Sequence, residues 1–276
     1  MPLYVKLYFK ILSAISPKLA AKRIYDFMSK PRLIKLRDFE IEMIERAEKT
    51  QIQFRGFTIQ RYRWGVGNQK KCLCIHGWEG QAGNFGGMID TLVNLGYEVS
   101  SFDAPSHGAS TKGKTSFFDY IDLAEEIAQA DKPELIISHS FGSIVTSAFL
   151  RRSPAFKLPH WIMITSPLSA RERLNDFTIP LGASQKVVEA LISLIENDYD
   201  ESIEDLNVPN FVSSLKNLDQ LTMIHGLSDS VLPFSFSKQI QKKFDGAQLI
   251  GLEGLGHYRI LWSDQLQQVL TERLSA

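Results

Sequence analysis

Short apolar runs recur along the chain at Cys72–Ile75, Tyr97–Phe102, Leu135–Ser138, Trp161–Thr165, Leu221–His225 and Gln248–Leu252. Between and after them lie segments of helical length, Phe85–Leu95, Phe117–Gln129, Phe141–Arg151, Phe234–Phe244 and Ile260–Leu274. Brief, largely apolar runs suit strands covered on both faces, and parallel neighbours need a crossover connection that the intervening helices supply. The alternation therefore predicts βαβ units: an α/β fold built on a mostly parallel, twisted sheet with helices on both faces. Upstream, Gln51 to Trp64 reads as two short strands joined by a turn at Arg55-Gly56.

The rhythm breaks once. Between Ser166 and Asp219 the chain reads as helix and loop, with ten acidic residues against four basic ones, a local charge of 4 − 10 = −6. This predicts a helical cap over residues 167–219, inserted into a core formed by 51–166 and 220–276. Residues 1–50 form a separate, basic extension. Through Arg37 it carries nine Lys and Arg against Asp26 alone, 9 − 1 = +8, within a chain whose net charge is zero. Leu3, Leu7, Ile11, Leu12, Ile15 and Leu19 recur at helical spacing, which predicts one amphipathic helix running past Pro17. A second helix is expected over Leu33 to Lys49.

With 44% hydrophobic and 22% charged residues over 276 positions, disorder is excluded and a single large folded unit is expected. Cys72 and Cys74, two apart in an apolar run, read as a reduced buried pair, which suits a cytoplasmic protein. No stretch approaches the roughly 20 apolar residues of a membrane span. Lys6 and Lys10 interrupt the apolar region a secretory signal requires.

In open α/β sheets ligands bind beyond the carboxyl ends of the strands, so the residues after each run carry the chemistry. After the third run comes Ser138-His139-Ser140-Phe141-Gly142, followed at once by helix-forming sequence. A strand turning sharply into a helix exposes the central side chain, which presents Ser140 as a nucleophile. The first run ends in His76-Gly77-Trp78, a turn able to aim the Trp78 N–H at a developing oxyanion, with the Phe141 N–H as second donor. Asp229 stands in the loop after the fifth run, and His257, flanked by glycine, follows the last. A serine nucleophile needs a base, and the base needs an acceptor on its other nitrogen. Ser140, Asp229 and His257 meet both needs from three strand ends on one sheet edge.

By these motifs the region from Gln51 onward resembles the α/β-hydrolase superfamily, whose members carry their triad in the order Ser, Asp, His. The resemblance implies Ser140 as nucleophile, Asp229 as acid, His257 as base, and Trp78 and Phe141 as oxyanion donors. The segment Asp103-Ala104-Pro105-Ser106-His107-Gly108 resembles a further turn of that family, with Ser106 where glycine is commoner. Ser138 likewise stands where glycine is usual, and the extension lies outside the resemblance.

The implied reaction is hydrolysis of a small-molecule carboxylic ester or thioester through an acyl-enzyme, with no cofactor. The same triad serves acyltransferases, peptidases and carbon–carbon hydrolases, and a noncatalytic binding protein on this fold is the alternative from another class. His139 and His107 read as packing and turn residues, and Asp103, after an earlier strand, as a weaker candidate acid. The histidines lack metal-ligand spacing, so no metal site is expected. The cap residues Leu181, Val187, Val188, Leu191, Ile192, Leu194 and Ile195 are expected to wall the substrate site. The basic extension suits an anionic membrane surface or the acidic cap of a second copy, against the plainer alternative that its leucines pack on its own body. No motif accompanies it that would indicate nucleic acid.

Overall fold

The computed structural model describes residues 3–199 and 202–275; Asp200 and Glu201, counted among the insertion's acids, lie outside them. Eight strands form one sheet: β1 (Glu48–Phe54), β2 (Phe57–Trp64), β3 (Lys70–Ile75), β4 (Tyr97–Phe102), β5 (Leu135–His139), β6 (Leu158–Ile164), β7 (Leu218–Gly226) and β8 (Gln248–Leu252). Their order is β1-β2-β4-β3-β5-β6-β7-β8. β1 pairs antiparallel with β2 and β2 with β4, while every pairing from β4 to β8 is parallel. The apolar runs are thus strands, and the Arg55-Gly56 turn closes the antiparallel hairpin with both residues at positive φ.

Helices cover both faces. Helix α5 (Phe117–Asp131) and α6 (Phe141–Arg152) lie on one side, where Phe102, Tyr120, Phe149 and Trp161 are wholly buried in the larger core. Helix α3 (Asp38–Glu45), α4 (Gly86–Asn94) and α11 (Asp264–Leu274) cover the other, around Phe85, Met88, Leu92 and Leu270. The connection from β7 to β8 contributes α10 (Phe234–Gln241), whose Ile240 joins the larger core. Cys72 and Cys74 are unpaired and buried in the second core.

The extension departs from the expected two helices. Pro17 does not interrupt one long helix but begins another: α1 spans Leu3–Ile15 and α2 Pro17–Met28, with Ser16 accepting the Leu19 N–H as N-cap. Proline at the first helical position loses no hydrogen bond, so the break falls where the ring fits. The helix expected over Leu33 to Lys49 is only α3, because Glu48 and Lys49 already pair with β2 and residues 31–37 run without regular structure.

The insertion holds α7 (Ala170–Thr178), α8 (Gln185–Tyr199) and α9 (Val208–Val212). Helix α2 packs on α8, with Ala20, Ala21 and Ile24 buried in the same cluster as Val187, Val188, Leu191 and Ile195. The basic extension and the acidic insertion therefore meet within one chain. They meet through apolar side chains: among the described residues no ion pair joins the extension to the insertion, whose Arg171 and Arg173 instead pair with its own Glu189, Glu204 and Asp176.

Candidate active site

The turn between β5 and α6 holds Ser140 at φ 54°, ψ −122°, a conformation L-residues rarely adopt. The Ser140 N–H donates to Thr165 O at 2.9 Å and Ile164 O at 3.1 Å, so the neighbouring strand end fixes the strained residue. Gly142 is required by close approach, since a Cβ there would lie 2.2 Å from the Ile75 carbonyl oxygen. Ser138, in place of the usual glycine, is wholly buried and accepts the Trp161 indole N–H at 2.8 Å while bonding Ser143 Oγ at 2.9 Å.

Three strand ends bring the sequence candidates together. His257 Nε2 lies 3.1 Å from Ser140 Oγ, and His257 Nδ1 lies 2.8 Å from Asp229 Oδ2. The other Asp229 oxygen accepts the N–H groups of Val231 and Leu232 at 2.7 and 2.8 Å. Burial pushes the Asp229 carboxyl up, but the His257 hydrogen bond and these backbone donors outweigh it and hold the group below its ordinary value. The arrangement can take a proton from Ser140 on to Nε2 while the carboxylate fixes the imidazole tautomer and stabilises the imidazolium.

The candidate oxyanion donors stand beside the serine. Phe141 is the first residue of α6, so its N–H has no intrahelical acceptor. The Gly77-Trp78 segment runs alongside: a Cβ on Gly77 would lie 3.2 Å from Ser140 Cβ and 3.6 Å from the Phe141 nitrogen. Trp78 is held edge-on against Phe117 and Phe141, at centroid distances of 4.9 and 5.9 Å.

The remaining sequence candidates have structural tasks. Asp103 accepts from Ala109 N at 2.7 Å, Ala82 N at 2.8 Å and Tyr62 Oη at 3.0 Å, which commits both its oxygens to loop architecture. Ser106, where glycine is commoner, adopts φ +68°. His107 bonds Pro105 O at 2.9 Å and accepts the Glu79 N–H at 3.1 Å, so it serves the turn and ties it to the segment that follows Trp78. His139 is buried, as its packing reading requires, but it also touches the site, with Nε2 2.9 Å from the carbonyl oxygen of His257. Among the described residues no cluster of His, Cys, Asp or Glu has the makings of a metal site.

A cavity of about 300 Å³ opens over Ser140 and His257. Its walls correct the expectation for the insertion: no described residue of 167–219 lines it. Leu181, Val187, Val188, Leu191, Ile192 and Ile195 are buried among other core side chains, and Leu194 is packed against them. Among the described residues, Ile195 of the insertion shares the lining of a much smaller recess with Trp78, Tyr25 and Met28. The wall comes instead from the extension, as Ile34, Lys35, Arg37 and Glu40, facing Trp78, Tyr258 and Trp262 of the core.

That wall is latched to the core. The Arg32 guanidinium grips Glu79 with two hydrogen bonds, at 2.8 and 2.6 Å, and Gln81 Nε2 donates to Ile34 O at 2.6 Å. The Arg37 guanidinium lies 3.5 Å above the Trp262 ring, while buried Glu40 accepts from Arg37 N and Asn84 Nδ2. None of these residues belongs to a recognisable motif. Tyr258 has a sequence signal in its position directly after His257, as Trp78 has in its turn.

A strained serine at a strand-to-helix turn, met by an imidazole and a carboxylate from the ends of two later parallel strands, defines the class of α/β hydrolases. The profile of the Alpha/beta hydrolase family matches residues 72–272, and the chain belongs to that family. Solved structures share its architecture at low identity. A putative lipase from Acinetobacter baumannii AYE is 15% identical, with TM-score 0.61 over 88% of this chain and 97% of that one. The ferulic-acid-bound Est1E of Butyrivibrio proteoclasticus is 18% identical, TM-score 0.61, over 82% and 96%. The 2-hydroxy-6-oxo-6-phenylhexa-2,4-dienoate hydrolase of Rhodococcus sp. strain RHA1 is 17% identical, TM-score 0.60, over 83% and 100%. No curated protein matches the chain in sequence. Among the described residues no helix is long and apolar enough to cross a membrane.

Proposed function

We propose that the protein is a serine hydrolase of carboxylic esters or thioesters, acting through an acyl-enzyme on Ser140. The observation that carries this reading is the continuous relay Ser140 Oγ, His257, Asp229, at 3.1 and 2.8 Å, on a turn that holds the serine at positive φ. His257 takes the Ser140 proton as the oxygen attacks the acyl carbonyl, and the N–H groups of Trp78 and Phe141 receive the developing oxyanion. The imidazolium returns the proton to the leaving alcohol or thiol. Water, deprotonated by the same imidazole, then cleaves the acyl-enzyme and frees the acid.

The cavity suits a compact acyl group against Trp78, Tyr258 and Trp262, with the charged rim of Lys35 and Arg37 beside it. An esterase-like reading accords with the lipase and ferulic-acid-bound neighbours. The test is labelling with a fluorophosphonate, followed by turnover of p-nitrophenyl esters of increasing acyl length. The expected result is stoichiometric labelling that Ser140→Ala abolishes, with turnover of the shorter esters. An unlabelled native chain, or labelling that survives Ser140→Ala, leaves the noncatalytic binding protein as the better reading.

A further inference from the structure

Helix α1 has two apolar faces, and only one is used. Val5, Phe9 and Leu12 pack against the larger core. The other face points outward: Leu3 is 80% exposed, Tyr4 73%, Leu7 55%, Tyr8 50%, Ile11 52% and Ile15 76%. These residues fall at helical spacing, so they form one continuous stripe along the whole helix. A soluble monomer rarely leaves such a contiguous apolar surface open to water.

The surrounding charge decides what covers it. Lys6, Lys10, Lys18, Lys22 and Arg23 are all exposed along α1 and α2, and Asp26, the single acid through Arg37, is already taken by Lys114 and Lys22. Two copies joined through this face by a two-fold axis would set like charges against like, because such an interface is self-complementary. The acidic insertion of another copy is a poor partner too, since its apolar side holds the chain's own α2 and its arginines occupy several of its acids. A bilayer with anionic headgroups meets every feature. Leu and Ile enter the acyl boundary, the two tyrosines sit at headgroup level, and the lysines reach the phosphates with their stems along the apolar surface.

We infer that α1 docks the protein on an anionic membrane surface, lying in the interface with Leu3, Leu7, Ile11 and Ile15 inserted. The inference is independent of the catalytic reading, and its test needs no substrate. The full chain is floated with vesicles of phosphatidylcholine alone, or of phosphatidylcholine with a quarter phosphatidylglycerol, at low and high salt, beside Leu7→Glu/Ile11→Glu and Lys6→Gln/Lys10→Gln. All four positions are exposed, so unchanged melting is expected and separates docking from misfolding. The wild-type chain should float with the anionic vesicles at low salt. The glutamate pair should lose binding by at least roughly tenfold, and the lysine pair and high salt should weaken it severalfold.

Equal flotation of the glutamate pair, or a wild-type chain that stays with the free protein at low salt, overturns the inference. A wild-type dimer in light scattering that the glutamate pair converts to monomer, with no vesicle binding by either, assigns the face to self-association and overturns it as well.

Discussion

His139 Nε2 lies 2.9 Å from the main-chain carbonyl oxygen of His257, so the residue before the serine holds the loop that carries the base. The two imidazole rings are 4.9 Å apart at their centroids. Burial, with the neighbouring His257 second, pushes His139 down to about 3, so the ring is neutral and its Nε2 hydrogen donates to that carbonyl.

His139 is therefore a positioning residue. His139→Leu removes the donor and leaves the His257 carbonyl without its partner; ester kcat should fall by roughly ten- to a hundredfold with KM nearly unchanged. His139→Gln, which can still donate, should recover most of the loss. Steady-state kinetics of both variants decide the point. Equal losses in the two would mean that only packing volume matters there.

Two aspartates that look alike in sequence separate by their partners. Asp229→Asn keeps the shape of the relay but presents the wrong tautomer to His257, and kcat should drop by up to roughly 10⁴-fold with the fold intact. Asp103→Asn instead takes a charged acceptor from the buried Ala82 N–H, the Ala109 N–H and Tyr62 Oη, and should lower stability by about 2–3 kcal/mol while each folded molecule stays active. Denaturant titration beside kinetics distinguishes them. An Asp103→Asn protein of normal stability and no activity would reverse the assignment.

The serine turn shows what the sequence could and could not say. Gly142 was legible as a crowding position, and Ser140 as the exposed residue between strand and helix. Ser138 looked like a departure from a glycine rule; only the fold reveals Trp161 above it, 23 residues later, needing an acceptor for its indole N–H. The cavity wall was less legible still. Ile34, Lys35, Arg37 and Glu40 belong to a segment without periodicity or motif, and their proximity to Ser140 depends on tertiary contacts with Glu79, Asn84 and Trp262. The helices of the insertion and their apolar faces are legible in its sequence, but apolarity alone does not say whether a face meets substrate or another helix. Here α2 met it first.

Ser138→Gly would restore the commoner turn residue yet leave a buried indole donor unpaired. It should destabilise the protein by about 1–3 kcal/mol without loss of activity per folded molecule. Gly142→Ala meets the Ile75 and His76 carbonyls, backbone atoms that cannot step aside, at 2.2 and 2.8 Å, and should prevent recovery of folded protein. Chemical denaturation tests both. A Gly142→Ala chain of wild-type stability would show that the strand-to-helix approach is looser than described.

Acid should weaken the fold through its buried imidazoles. Burial lowers His76, His107, His139 and His225 below the ordinary imidazole value. The unfolded chain binds a proton at each as pH falls through about 6.5, and the native chain resists doing so. More protons on the unfolded side means that stability rises with pH and is lost on acidification. For His139, at about 3, the fall from pH 6.5 to 5 costs about 2 kcal/mol. Asp229 adds nothing in that window, because its lowered carboxyl remains ionised well below it. Thermal melts at pH 5 and 7.5 should show a lower midpoint in acid, with a shallower difference in His139→Gln. A midpoint that does not move with pH would contradict the burial of these rings.

The latch of the extension sets the last expectation. Arg32 and Glu79 make a two-pronged contact at the surface, and an exposed ion pair of this kind contributes little to overall stability, at most about 1 kcal/mol. Its position gives it more influence on the site, because residues 31–37 have no regular structure and are held across the cavity by Arg32, Gln81 and Arg37. Glu79 adjoins Trp78 and is tied to His107 through its N–H. Releasing the outer prong with Arg32→Ala should therefore loosen Ile34 and Lys35 while the relay of Ser140, His257 and Asp229 stays in place. Ester KM should rise by roughly two- to fivefold, more for longer acyl groups that reach the rim, with kcat close to wild type. Arg32→Lys, which cannot reproduce the bidentate geometry, should behave like the alanine variant. Were KM unchanged across the ester series, the strap would be a passive covering, and the substrate would be held by Trp78, Tyr258 and Trp262 alone.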